Sequence, residues 1–468
     1  MLTLYRIFLY LGELSLYSLQ YSLGGDTLTL YPSSDSSKFK LEEACDMQRG
    51  LSILLVFLLV LTLAGPSFGK EITLSYWTHA DRNREDLEKT LIEEFMAQNP
   101  GVTIEYDVTG STDHRERLLP AFAAGRGPAV SSVPSQWIAP LIDNGAVAPL
   151  DAEAMGFASQ QSVIDAYVPG SLDYVIRDGV LYGVPLEVTN WNLFINNIHF
   201  QDAGLDPVSD APKTWEELLE VADKLTIRRG DVLERRGFDF RYQEMDVWFE
   251  PMIEQAGGQI FSTDYTKTLI NSPATLRVLE YFREFGPKGR NLGGPSYVAA
   301  HSAFYTDKDT VSMGLSGLYQ VLRIKRADMD LYDNFTVAAL PRFEGGRDVG
   351  SRIYMHAYMV NPTLTAEEQK VAWEFIGYLT AHGEDYLAAS GLVQPRLDLT
   401  NTETFKDLKF SQLFIDEMTK GRYSEYVPNR NLILESYIAM TEAAMLETTG
   451  LQEILSRAER AINGHLND

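Results

Sequence analysis

Only one cysteine, Cys45, occurs in 468 residues, which excludes a disulfide framework within the chain and any metal site made of several thiolates. Basic residues are scarce too. Forty Lys and Arg face 65 Asp and Glu for a formal charge of −25, and nowhere do the cations gather into a stripe. Recognition of a phosphate backbone needs such clustering, so nucleic acid is excluded as a partner. The acidity itself reads as a solvated surface and names no cationic ligand. Enzyme signatures are missing as well: there is no Gly-x-Ser-x-Gly, no His-Glu-x-x-His and no Gly-x-x-x-x-Gly-Lys, and the seven histidines show no metal-ligand spacing. No catalytic residue, metal or cofactor is therefore expected. Scattered carboxylates leave a secreted carbohydrate-active enzyme as an alternative, because sequence does not set their separation.

An apolar stretch long enough to span a membrane, roughly 20 residues, is also absent. The longest run, Leu51–Leu63, follows the charged start Met47-Gln48-Arg49 and precedes Ala64-Gly65-Pro66-Ser67-Phe68-Gly69. A basic start, a short apolar run and small residues before a cut after Gly69 describe a signal peptide over 47–69. Residues 1–46, rich in Leu, Tyr and Ser, then read as an extension ahead of the true start at Met47. The expected product is a free protein exported across the cytoplasmic membrane, periplasmic or held at the cell surface. Removing the four basic and six acidic residues before Lys70 leaves a charge of −23.

The remaining length suggests two or more domains with ample apolar material. Alternating Ile72 to Trp77 predicts a strand, Leu87, Leu91, Ile92 and Phe95 one face of a helix, and Val102, Ile104, Tyr106 and Val108 a second strand. That βαβ unit implies a parallel sheet with ligands beyond its carboxyl ends. Trp77 and His79 follow the first strand, and Asp113 the second. Further on, Gln136 and Trp137 follow a third short strand. From Asp223 to Asn291 the pattern reads as mostly helical. Later strands are expected at Phe335–Leu340 and Tyr354–Val360. Capping boxes start helices at Thr214 with Glu217 and at Thr365 with Glu368.

One stretch is more specific. Gly183-Val184-Pro185 is followed by the polar and aromatic segment Leu186 to Trp191, the apolar strand Asn192 to Asn196, and Pro212-Lys213-Thr214-Trp215-Glu216-Glu217 at a helix start. In this order and spacing the run resembles bacterial extracellular solute-binding proteins of family 1, the carbohydrate-type receptors of ABC importers. Val311 to Tyr319, Phe335 to Leu379 and Gly391 to Arg396 extend the likeness over Lys70 to Asp468. Only the loop from Gly289 to Asp309 departs from the family's pattern.

The resemblance implies an α/β chain with the two-lobe periplasmic-binding-protein fold of type II, its hinged lobes closing on a ligand cleft. The lobes would comprise 70–188 with 341–382, and 189–340 with 383–468. Chain crossings would lie at Leu186–Asn190, near Leu340 and Pro341, and near Ala381–Glu384. The partners it implies are a sugar or oligosaccharide and the transmembrane subunits of an ABC permease, served by a monomer. A sugar presents C–H faces and hydroxyls, so its site needs aromatic platforms and polar groups. Trp191, Tyr319, Trp77, Trp137 and Trp248 are the expected platforms; Glu187, Thr189, Asn190, Asp113, Gln136, Arg396 and His79 are the expected polar contacts. Trp215 and Trp373 fall in helical apolar registers and belong to the core. A glycerol phosphate would instead require an Arg/Lys cluster in the cleft, and a polyamine several carboxylates beside aromatics.

Overall fold

The computed structural model describes residues 71–467 except 231, 243 and 426, together with three short strands, Ile7–Tyr10, Leu16–Gln20 and Thr29–Pro32. Those three pair antiparallel in sequence order and belong to the first of the chain's two units, 1–69 and 70–468. They are strands where the sequence offered no lasting period. The expected signal peptide, 47–69, lies outside the described residues.

The larger unit opens with β1 (Ile72–His79), α1 (Arg82–Gln98), β2 (Val102–Thr109) and α2 (Ser111–Ala123). Asp81 caps α1 by accepting the Asn83 N–H at 2.9 Å. Then come β3 (Val130–Pro134), α3 (Ser135–Asp143), β4 (Val184–Thr189), β5 (Asn192–Asn196), α4 (Trp215–Leu225) and α5 (Asp246–Gln255). The rest that matters is β6 (Met313–Ser316), α6 (Tyr319–Ala327), β7 (Phe335–Ala338), β8 (Tyr354–Val360), α7 (Ala366–Ala381) and α8 (Arg430–Leu446). Both expected capping boxes close, at Thr214 with Glu217 and at Thr365 with Glu368.

Two sheets organise the unit. One has the order β2-β1-β3-β8-β4, and the other, β6-β5-β7, is antiparallel throughout. In the first, β1 pairs parallel with β2 and β3, as the βαβ pattern requires, while β8 runs antiparallel between β3 and β4. Consequently β1, β2, β3 and β4 all end on one edge. Each sheet has its own core: Tyr76, Val133, Leu186, Tyr358 and Trp373 pack under the first, and Leu193, Trp215, Trp248, Phe282 and Tyr437 under the second. Trp215 and Trp373 are buried as their helical registers required.

The chain leaves the first sheet at Thr189 and enters the second at Asn192, so only Asn190 and Trp191 lie between. It returns through 339–353, between β7 and β8. The segment after Leu225 departs from the helical expectation. Ile227–Arg229 and Val232–Arg235 form a hairpin around Gly230, whose φ of +60° suits a tight turn, and the chain stays non-helical to Glu244. Branched Ile227 and Val232 beside glycine favour a hairpin over a continued helix.

Candidate functional site

A cavity of about 620 Å³ opens between the carboxyl edge of the first sheet and the residues that follow β6 and the 227–235 hairpin. Small-ligand sites span roughly 300–1,000 Å³. Its floor is set from below by a buried pair on α1. Glu88 accepts hydroxyls from Tyr76 at 3.0 Å and Tyr386 at 3.1 Å and lies 3.3 Å from Arg84, whose guanidinium donates to Thr78 Oγ1 at 2.9 Å and to the His79 carbonyl at 2.5 Å. The end of β1 is thereby fixed, and with it His79.

Register brings the next two groups together. Glu187 on β4 is the direct cross-strand partner of His356 on β8, and His356 Nδ1 meets Glu187 Oε1 at 2.7 Å. His79 stacks on the His356 ring with centroids 4.1 Å apart. Four of the seven histidines, at 79, 114, 301 and 356, line the cavity. Burial, then the neighbouring His356 and Arg84, hold the His79 imidazole well below its ordinary value. Burial also brings His114 down to about 4 against the bond of its ring to the Ser132 carbonyl, and burial with Arg241 and Arg323 lowers His301. These three are neutral at neutral pH, and Nδ1 of each is buried without a hydrogen-bond partner.

The opposite wall is built on arginine. Arg241 Nε and Nη2 each lie 3.0 Å from Glu244 Oε2, Nη1 donates to Tyr319 Oη at 2.7 Å, and the guanidinium lies 4.4 Å over the Trp191 ring. Burial disfavours the charge, but Tyr319 and Glu244 outweigh it and raise the Arg241 value. Trp248 supports this arrangement from behind, its indole N–H donating to the Arg241 carbonyl at 3.0 Å. Glu244 holds a left-handed φ of +45°, a strained conformation for a non-glycine residue that costs about 1–3 kcal/mol. Across the cleft, Arg323 on α6 reaches Asp81 at the head of α1 at 2.7 Å and lies 4.5 Å over the Tyr319 ring. Burial pushes the Asp81 carboxyl up, but Arg323 and Arg84 outweigh it and hold it below the usual range.

Of the residues singled out from the sequence, His79, Glu187, Trp191 and Tyr319 meet in the cavity. The two rings are not open platforms: Trp191 is 1% exposed and Tyr319 9%, each with a guanidinium over its ring. Thr189 and Asn190 are buried in the crossing, where Thr189 Oγ1 donates to the Asn190 carbonyl and Asn190 Nδ2 to that of Phe414. A side chain on Gly317 would meet Thr189 Oγ1 at 2.3 Å, so glycine there lets the crossing approach β6. The others lie elsewhere. Trp248 is core, stacked on Phe240 at 4.5 Å; Trp77 lies under Arg117 at 3.8 Å; Trp137 packs on the first core. Gln136 is buried with both amide atoms unpartnered, Asp113 is exposed in the first turn of α2, and Arg396 is held bidentate by Asp398. Arg241, Glu244, Arg323, His301, Tyr354 and His356 were not singled out. They lie in irregular segments, at element ends, on a strand whose apolar neighbours mask them or, for Arg323, on the polar side of a helix, and only tertiary contact joins them.

The family model described as "Bacterial extracellular solute-binding protein" matches residues 82–385. A maltotriose-binding protein of Pyrococcus abyssi is 23% identical over 66% of this chain and 62% of its own. An arabinooligosaccharide-binding protein of Halalkalibacterium halodurans is 22% identical over 65% of this chain and 70% of its own. A Thermotoga lettingae ABC-transporter solute-binding protein solved with α-D-tagatose superposes with a TM-score of 0.73 at 21% identity, over 84% of this chain and all of that one. The maltose/maltodextrin-binding domain of Bdellovibrio bacteriovorus bound to maltotriose gives 0.72 at 18% identity, over 85% of this chain and all of that one. The two-lobe fold expected from the sequence is the fold of these proteins.

Proposed function

The chain belongs to the bacterial extracellular solute-binding protein family, and we propose that this member captures a sugar or oligosaccharide and hands it to the membrane subunits of an ABC importer. The observation that carries this reading is that each buried carboxylate of the cavity has a nitrogen partner: Glu187 in His356, Glu244 in Arg241, Asp81 in Arg323. Such pairs offer hydroxyls both donors and acceptors and leave no buried carboxylate of the cavity without a partner, while Arg82 and Arg326, which also line it, are exposed. A glycerol phosphate would call for unpaired cations, and a polyamine for unpaired carboxylates. The named sugar ligands of the relatives agree with this choice. The family is one of solute-binding proteins, which favours binding over turnover.

Capture would proceed by closure about the crossings at 190–191 and 339–353, the short spans that join the sheets. Export by the leader at 47–69 fits the extracellular character of the family. No helix among the described residues is long and apolar enough to cross a membrane. The test is calorimetry with neutral mono- and oligosaccharides, glycerol phosphates and polyamines. Tight binding of a neutral saccharide is expected. A phosphate or polyamine as the sole ligand would sink the sugar assignment, and turnover of a saccharide would make the protein an enzyme.

Closure also gives the Asp81–Arg323 bridge a role, since α1 follows the first sheet's opening strand and α6 follows β6 of the second. The Asp81→Asn variant keeps the helix cap and loses the charge. A partly exposed ion pair contributes up to about 1 kcal/mol, so the saccharide dissociation constant should rise about 3- to 5-fold through faster release. Unchanged release kinetics would show that the bridge does not favour the closed state.

A further inference from the structure

We propose that His79, Glu187 and His356 form a binding site for one divalent cation of the zinc type on the floor of the cavity. All three side chains are buried, and one ligand atom from each lies within 4.8 Å of the others. The first independent sign is that His79 Nδ1 is buried without a partner in a residue only 7% exposed. A buried polar atom left unpaired is unfavourable, and native structures keep few of them without a reason. A cation bound through Nδ1 would supply the missing partner.

The second sign is the support behind His356. Its Nε2 faces Tyr354 Oη at 3.3 Å while Nδ1 faces Glu187 Oε1 at 2.7 Å. With the Nε2–H directed to the tyrosine, the Nδ1 lone pair is aimed at the carboxylate, where a metal ion would lie; an outer partner on the second nitrogen orients metal-bound histidines in this way. Metal binding needs both ligand atoms unprotonated, so any proton between Nδ1 and Oε1 leaves to solvent as the cation enters. Two imidazoles and one carboxylate suit zinc, cobalt or nickel, whereas calcium and magnesium favour shells of oxygen alone. All three residues also line the cavity, so a fourth coordination position opens toward it for a water or a solute hydroxyl. The sequence hides the site because its residues come from β1, β4 and β8, and only the pairing of β4 with β8 sets Glu187 opposite His356. Nothing in this assignment depends on the identity of the solute.

Titration of EDTA-treated full-length protein with zinc chloride should show one equivalent bound, with a dissociation constant in the micromolar range or below. His79→Gln and Glu187→Gln should each weaken it about tenfold or more, since loss of even an outer partner costs about 10- to 100-fold. His465→Gln, in the C-terminal helix, should change nothing. With cobalt the unaltered protein should show the visible absorption of a four-coordinate ion, a readout that needs no variant to fold. Absence of stoichiometric zinc binding, a cobalt spectrum of the hydrated ion, or binding that survives both substitutions would overturn the site.

Discussion

Replacing Glu250 with alanine is expected to destabilise the folded chain by about 3–5 kcal/mol, the usual consequence of leaving buried charges without their partner. Glu250 on α5 is fully buried between two guanidiniums, 3.1 Å from Arg352 Nε and 2.7 Å from Arg430 Nη1, and it accepts the Tyr437 hydroxyl at 3.0 Å. Arg352 is also bidentate to Glu254, with both contacts at 2.8 Å. Removing Glu250 strands Arg430 with Asp246 alone and withdraws the Nε partner of Arg352. The location gives the loss a functional edge. Arg352 belongs to the return crossing, its N–H donates to the Val247 carbonyl at 2.7 Å, and the adjacent Ser351 Oγ accepts the Trp191 N–H of the other crossing at 2.7 Å. Denaturant melts at neutral pH measure the effect; a shift below 1 kcal/mol would mean that water enters to solvate the freed arginines.

The same carboxyl predicts an acid limb. Burial raises its value, but Arg430 and Arg352 outweigh it and bring it down to about 2, against 4.5 when free. A group depressed on folding stabilises the native state above its unfolded value and loses that contribution as pH falls toward the folded one. Here the window is pH 4.5 to 2 and the contribution about 3 kcal/mol. Stability of the unaltered protein should fall through that window more steeply than stability of Glu250→Ala.

How far the sequence revealed this molecule follows from what kind of signal each part emits. Strands and helices with one buried face were legible: the alternation from Ile72, the stripe on α1, and both capping boxes reappear where expected, because local periodicity and local hydrogen bonds produced them. The Gly183–Glu217 run pointed to the fold through its resemblance to the solute-binding family. By contrast, Trp248 and Trp137 were expected to meet a ligand, and the structure places Trp248 in the second core and Trp137, half-buried, against the first. An indole in a poorly periodic segment gives no sign of which side it faces, and Trp248 turned inward to stack on Phe240. Arginines were the larger omission. Arg241 follows a hairpin that had been read as helix, and Arg323 looks like one more cation on an amphipathic helix; only the tertiary fold lays them over Trp191 and Tyr319. The same holds for His79, Glu187 and His356, distant in sequence and adjacent only through sheet order.

Arg241 is therefore the residue whose loss should most affect ligand capture. Trp191 is a poorer probe, since at 1% exposure its truncation would remove core packing along with any ligand contact. Glu244 and Tyr319 engage Arg241 through three of its five N–H donors, and Arg241 lines the cavity with two further N–H groups on its guanidinium. If they bond solute hydroxyls, Arg241→Met keeps an apolar stem on the Trp191 ring while removing every donor. Hydrogen bonds to a charged group contribute about 1.5–3 kcal/mol. Loss of these, together with the Arg241 contact to Glu244, should weaken saccharide binding by about 2–3 kcal/mol, or roughly 30- to 150-fold. Arg241→Lys should recover only part of that, because one ammonium cannot serve Glu244, Tyr319 and a ligand with the geometry of the guanidinium fork. The opposite result has an equally definite meaning. Should Arg241→Met bind the saccharide more tightly while melting near the unaltered protein, the guanidinium would be covering an aromatic platform that the sugar prefers, and Trp191 would return as the ring on which the ligand stacks.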